Sequence, residues 1–139
     1  MTIALTHIAI HVADVSACVD FYSSYAGMHI IHERPSGENR IVWLSEPGQE
    51  PQFIIVVLPG GCGHKQQMND FSHLGFALES KEAVDRLAKR AEEEGILVWG
   101  VRNDKYPAGY YCGVKDPDGN FIEFSYGQPL GPGAPELIK

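Results

Sequence analysis

One short pattern occurs twice along the chain, and it limits the possible folds more than any other feature. Thr6-His7-Ile8-Ala9-Ile10 returns as Ser72-His73-Leu74-Gly75-Phe76, with 66 residues from His7 to His73. Each copy runs polar, His, aliphatic, small, apolar, as one edge-to-centre strand would. After each copy comes a helix signal, with Asp14 and Ser80 as the N-cap residues. A chain that repeats strand-then-helix at this interval is built from two similar modules.

The rest of the chain fits a βαβββ order in each module. In the first, the pattern predicts a strand over Ile3 to Val12, with His7, Ala9 and His11 on one face. A helix follows over Val15 to Ala26, stopped by Gly27. Strands are then expected around 29–34, 40–45 and 52–58, separated by Ser-Gly and Pro-Gly turns. In the second, Phe71 to Leu78 is a strand and Ser80 caps a helix through Glu94. Strands follow near 96–101, 109–115 and 120–126. The expected organisation is a single α+β domain over 1–139: module one about 1–58, a Gly-rich linker 59–70, module two 71–126, and a Gly- and Pro-rich tail 127–139.

Composition narrows the partners. A formal net charge of −7 argues against nucleic-acid and anionic-membrane surfaces, both of which need excess Lys and Arg. No window approaches the roughly 18 apolar residues of a membrane span. The cysteines are three, Cys18, Cys62 and Cys112, without CxxC spacing, which points to free thiols in a reducing compartment. No signal-peptide pattern opens the chain, so a cytoplasmic location is expected.

Chemistry concentrates at three positions. Asp116-Pro117-Asp118-Gly119-Asn120 is a hairpin signal, with Pro117 at a turn's second position and Gly119 left-handed. That register pairs Asp116 with Asn120 and hence Glu123 with Gly113. It also sets Tyr111 opposite Ser125 on Glu123's face. Glu123 lies between Ile122 and Phe124, where an unpaired carboxylate would be costly. With His7 and His73 at matching points of the repeat, Glu123 completes a set of two imidazoles and one carboxylate. Such a set suits one divalent ion per site (Fe, Mn, Ni, Co or Zn) and leaves coordination positions open for a substrate.

On these motifs, together with Phe21-Tyr22 in the first helix, the chain resembles the vicinal oxygen chelate superfamily. That group includes glyoxalase I, extradiol dioxygenases, fosfomycin-resistance transferases and bleomycin-binding proteins. The resemblance covers all but the tail. It implies a cupped eight-stranded mixed sheet, a homodimer whose cups can be shared between chains, and a small-molecule substrate chelated through adjacent oxygens. Glyoxalase I adds a fourth protein ligand. The matching position here is Val57 by the fixed repeat offset, or Ile55 by local alignment; both are apolar and both are expected to face the cup. Three ligands place a dioxygenase-like reaction first. A glyoxalase-type lyase or isomerase comes next, then a thiol transferase of the fosfomycin-resistance type, with a non-catalytic binder as the alternative of a different class.

Two side chains are candidates for catalysis. Tyr111 can donate to a developing oxyanion or simply pack as a lining aromatic. His64, in the Gly-rich loop, can reach a substrate as acid or base, or stay solvated. His11 reads as a polar residue at a strand end, and His29 and His32 as surface positions. Arg102, Asn103 and Lys105 read as a loop before the seventh strand, able to hold an anionic substrate, although loop charges are usually just surface. Cys112 faces away from Glu123 and fills the core.

Overall fold

The computed structural model describes residues 1–48 and 51–135. Its element order is β1(His7–Val12), α1(Val15–Ala26), β2(His29–Ser36), β3(Asn39–Ser45), β4(Ile54–Pro59), β5(Leu74–Ala77), α2(Lys81–Glu93), β6(Leu97–Asn103), β7(Tyr110–Lys115) and β8(Phe121–Tyr126). This is βαβββ twice, and each module is a four-stranded mixed sheet with one helix. The chain divides into two compact units, Met1–Lys65 and Gln66–Lys139. The division falls inside the expected linker. No helix among the described residues is long and apolar enough to cross a membrane.

In the first unit the strand order is β1-β4-β3-β2, with β1 parallel to β4 and the other pairs antiparallel. Helix α1 begins where Asp14 accepts a hydrogen bond from the Ala17 amide at 3.0 Å. It ends at Gly27, left-handed at φ 66°, with the Met28 amide returning to the Tyr22 carbonyl. The helix packs on β3 and β4, burying Cys18, Val19 and Tyr22 against Val42, Leu44, Ile55 and Val57. Each such aliphatic or aromatic burial contributes roughly 1.5–3 kcal/mol. Pro35 is tolerated in β2 because that strand is an edge. Strand β1 is shorter than the pattern suggests. Its ladder to β4 starts at His7 opposite Ile54, so Ile3 and Leu5 have no strand partner and lie exposed.

The register corrects one expectation. Ile55 and Val57 pair with Ile8 and Ile10 and point to the helix side, not to the face of His7. Glu123 pairs with Gly75, whose counterpart in the repeat is Ala9, and Ala9 pairs with Val56. Val56 is therefore the position matching Glu123. It is also apolar, so the first module offers no second carboxylate there.

The second unit has the order β5-β8-β7-β6 with the same pattern of parallel and antiparallel pairs. Ser80 caps α2 by accepting from the Ala83 amide at 3.1 Å, and Ala83, Val84, Ala88 and Ala91 are buried beneath it. The hairpin between β7 and β8 forms as its sequence requires: the Asp116 amide donates to Asn120 and Gly119 sits at φ 96°. Strand β5 covers only Leu74–Ala77, leaving His73 just before it. Gln66 ties the incoming segment down, donating to the Asp70 and Ser72 carbonyls and accepting from the Phe121 amide. The tail folds back on the same unit as far as it is described. Gly131 lies so close that a Cβ there would stand 2.4 Å from the Ala77 Cβ.

Cysteine burial makes a direct prediction. Cys18 and Cys112 are fully buried, while Cys62 is exposed. Burial, and then the Glu123 and Asp85 charges, push the Cys112 thiol up to about 12. A thiol reagent at pH 8 should label one cysteine of the native protein quickly and all three only after unfolding, as mass spectrometry would count.

Candidate functional site

Pairing across the second sheet decides which side chains share a face. Glu123 stands between Gly75 and Gly113, and Gly113 pairs with Trp99 on β6. One rung along, Ser125 pairs with Tyr111, and Tyr111 with Arg102. This face is opposite to the one that α2 covers. It holds a cavity of about 190 Å³ lined by Phe71, His73, Trp99, Arg102, Tyr111 and Glu123.

At its centre His73 and Glu123 face each other. The His73 Nδ1 lies 2.7 Å from the Phe71 carbonyl oxygen, which can only accept. Nδ1 therefore carries the proton, and in the neutral ring Nε2 presents a lone pair. That atom lies 3.8 Å from the Glu123 Oε2, beyond hydrogen-bond distance. With the ring neutral, Nε2 and Oε2 are two acceptors facing one another. The separation is one that two metal–ligand bonds of about 2.0–2.2 Å can bridge, and the backbone carbonyl on the far nitrogen is the usual support of a metal-bound imidazole. The donor set thus fits a divalent cation. The carboxylate is held in turn by Gln128, whose amide donates to Oε2 at 3.1 Å and to the Ala108 carbonyl at 2.8 Å.

Trp99 lies edge-on to His73, ring centroids 5.5 Å apart, and edge-on to Phe121 at 5.8 Å. Its indole covers Gly113, where a Cβ would meet the ring at 2.1 Å. The Tyr111 hydroxyl donates to Asp104 Oδ2 at 2.6 Å. That hydrogen bond, then burial and the Asp104 charge, raise the phenol above its ordinary range, opposed in part by Arg102. The single phenolic proton is engaged, so the oxygen that faces outward is an acceptor. A phenol raised in the folded state favours folding below its ordinary value near 10, and that contribution is lost as pH climbs past the raised value. Asp104→Asn should bring the Tyr111 ionisation downward, seen by NMR of ring-labelled tyrosine.

His73, Glu123 and Tyr111 thus share one cavity. His7 lies in the other unit, exposed on β1, with its Nδ1 2.9 Å from the Thr6 hydroxyl. Among the described residues no three His, Cys, Asp or Glu side chains gather as a metal-holding cluster. His64 is exposed in the segment leaving the first unit. His11 donates through Nε2 to the Pro59 carbonyl at 3.0 Å, as suits a strand-end residue. Arg102 and Asn103 belong to β6 rather than to a loop. Trp99, Asp104 and Gln128 were not evident as site residues in the sequence. Gly100, isolated in a strand, is the signal that bears on Trp99 and Arg102, because such a glycine marks a bulge. Nothing in the sequence points to Gln128, which lies beyond the last strand.

The fold and this face define a glyoxalase-type protein. Residues 4–124 match the model of the Glyoxalase/Bleomycin resistance protein/Dioxygenase superfamily, and the chain belongs to that family. It is 56% identical over 137 residues to the uncharacterized protein PA2024 of Pseudomonas aeruginosa, covering 99% of this chain and 98% of that one. Among solved structures it resembles a possible glyoxalase from Bacillus cereus, with TM-score 0.66 and 28% identity over 89% of this chain and 99% of that one. It also shares its fold with a mutant of the fosfomycin resistance protein FosX from Listeria monocytogenes, complexed with Mn(II) and 1S,2S-dihydroxypropylphosphonic acid. There the TM-score is 0.70 and the identity 19%, over 90% of each chain.

Proposed function

We propose that this protein is a divalent-metal-dependent enzyme acting on a small substrate held through two adjacent oxygens. His7, His73 and Glu123 are the protein ligands, and the two modules act as one domain of a cytoplasmic homodimer. One observation carries the reading: His73 Nε2, on a ring whose Nδ1 is held by the Phe71 carbonyl, and Glu123 Oε2 oppose each other at 3.8 Å, beyond hydrogen-bond distance. That the FosX mutant, a protein of the same fold, is complexed with Mn(II) supports a cation in this one. One chain gathers two ligands on one sheet and carries the third on the other, which a site shared between two chains accommodates.

When bound, the ion supplies Lewis-acid polarisation of the substrate oxygens, or brings O2 to the substrate if it is redox-active. The chain's own residues do the rest. The Phe71 carbonyl fixes the His73 tautomer, Gln128 holds the carboxylate, and Trp99 and Phe71 line the cavity.

An oxygen-dependent ring cleavage remains the first reaction to test. A lyase, isomerase or transferase reaction without O2 is the second, and one feature favours it. The position opposite Glu123 is Gly113 under an indole, and the neighbouring Tyr111 proton is held by Asp104, so Tyr111 offers the centre no free hydroxyl proton. Metal analysis of gently purified protein separates the readings. Fe or Mn with O2 uptake on a catechol supports the first. Ni, Co, Zn or Mn with turnover of a hemithioacetal or epoxide under nitrogen supports the second. Ligand binding that survives removal of all metal, with no turnover, would leave a binding protein and overturn the proposal.

A further inference from the structure

We infer that Arg102 is an anion-binding subsite at one end of the aromatic-walled cavity, and that the ligand it takes is a planar aromatic carboxylate. The metal-facing half of such a ligand rests on the function proposed above; the carboxylate half does not.

The first support is a bulge. Trp99 and Arg102 are three residues apart on β6, yet they pair with Gly113 and Tyr111, which are two apart on β7. In an unbroken strand, residues three apart point to opposite faces. The extra residue turns Arg102 onto the face of Trp99 and Glu123; without it, Val101 would take that place. Bulges of this kind re-aim side chains, at the cost of ladder hydrogen bonds. The guanidinium therefore lines the cavity through a departure from regular pairing.

The second support is charge. Among the described residues Arg102 has no ion pair. The nearest acid along the strand, Asp104, has one carboxylate oxygen engaged by the Tyr111 hydroxyl. With a formal net charge of −7 the protein as a whole does not attract acids, so a local cation must do so. A guanidinium matches a carboxylate in plane and in spacing of donors.

The third support is shape. The cavity lining also holds the aromatic set Phe71, Trp99 and Tyr111, which suits a flat ring. A volume of about 190 Å³ is below the roughly 300–1,000 Å³ of sites for drug-sized ligands, so the ligand is a single-ring molecule. Arg102 and Glu123 are two strands and one rung apart, on the order of 12 Å between Cα atoms by ordinary sheet spacing. A carboxylate seated on Arg102 leaves its ring to extend across the face toward Glu123, so the ligand has two ends. In the metal-free protein Glu123 repels the carboxylate from its own end, which fixes the orientation there.

The test uses 15N-labelled protein stripped of metal and titrated with benzoate and with benzamide, which share shape but not charge. Benzoate should shift the Trp99 indole resonance in a saturable way and leave that of Trp43 in place. It should bind about tenfold or more tightly than benzamide, the effect of one exposed charge-assisted contact. Arg102→Gln should bring benzoate to the level of benzamide, while Arg102→Lys keeps part of the preference. The same spectra report whether each variant is folded. Equal binding of the two probes, an unmoved Trp99 signal, or an unaltered preference in Arg102→Gln would each overturn the inference. Because no metal is present, these outcomes do not depend on the ligand set His7, His73 and Glu123. Repeating the titration with salicylate and Zn(II) tests that set separately.

Discussion

Glu123→Ala should lower affinity for the divalent ion by more than a hundredfold, measured by competition with a chelating fluorophore. The loss should exceed the roughly 10–100-fold effect of outer-shell changes, because a donor atom itself disappears. Gln128→Ala, which only frees the carboxylate to rotate, should fall within that smaller range. His7→Ala should match Glu123→Ala if His7 is the third donor. Mixing the two variants then gives a second reading of the same arrangement. In a site shared across a homodimer, a mixed pair holds one complete centre and one that lacks both side chains. Random reassembly would restore roughly a quarter of the sites. Mixing that restores none would place all three donors in one chain. If Glu123→Ala bound the ion as well as the natural protein, the metal reading would fail.

The second large effect concerns stability. Gly113→Ala should lower the melting temperature by about 10 °C, from an overpacking cost of roughly 3 kcal/mol at the upper end of the usual range. The added methyl would sit 2.1 Å from the Trp99 ring, so the indole must leave its place over Gly113. Its contacts with Phe121 and His73 go with it. Trp99→Ala alone should also destabilise, but the double variant should be less affected than the sum, since the small side chain removes the obstacle. Near-ultraviolet circular dichroism would follow the indole and calorimetry the stability. Strict additivity would show that the Trp99 contact is not what requires glycine.

Much of this was legible in the chain. Asp14, Gly27 and Ser80 bound their helices because capping depends on neighbours a few residues away. The Asp116 to Asn120 turn set the register that brings Glu123 opposite Gly113, and local turn chemistry was enough to give it. Patterning was less informative where the partner strand decides the outcome. Ile3 and Leu5 look like strand residues but find no strand partner among the described residues, and Val56 rather than Val57 answers to Glu123 because β4 is offset by one against the repeat. The site divided in the same way. Local motifs flagged His73 and Glu123. Trp99 and Arg102 reach the cavity through a bulge, and Gln128 through a tail that folds back, so both depend on long-range geometry that alternation along one strand does not encode.

Gln128 belongs to no strand and to neither copy of the repeat, yet its amide is clamped between the Ala108 carbonyl and the Glu123 carboxylate. Anyone who trims this protein to its regular elements at Tyr126 will keep every recognisable signature and discard a group that holds the acid in place. Grafting the paired modules into a designed scaffold therefore means carrying the last stretch of chain along with them.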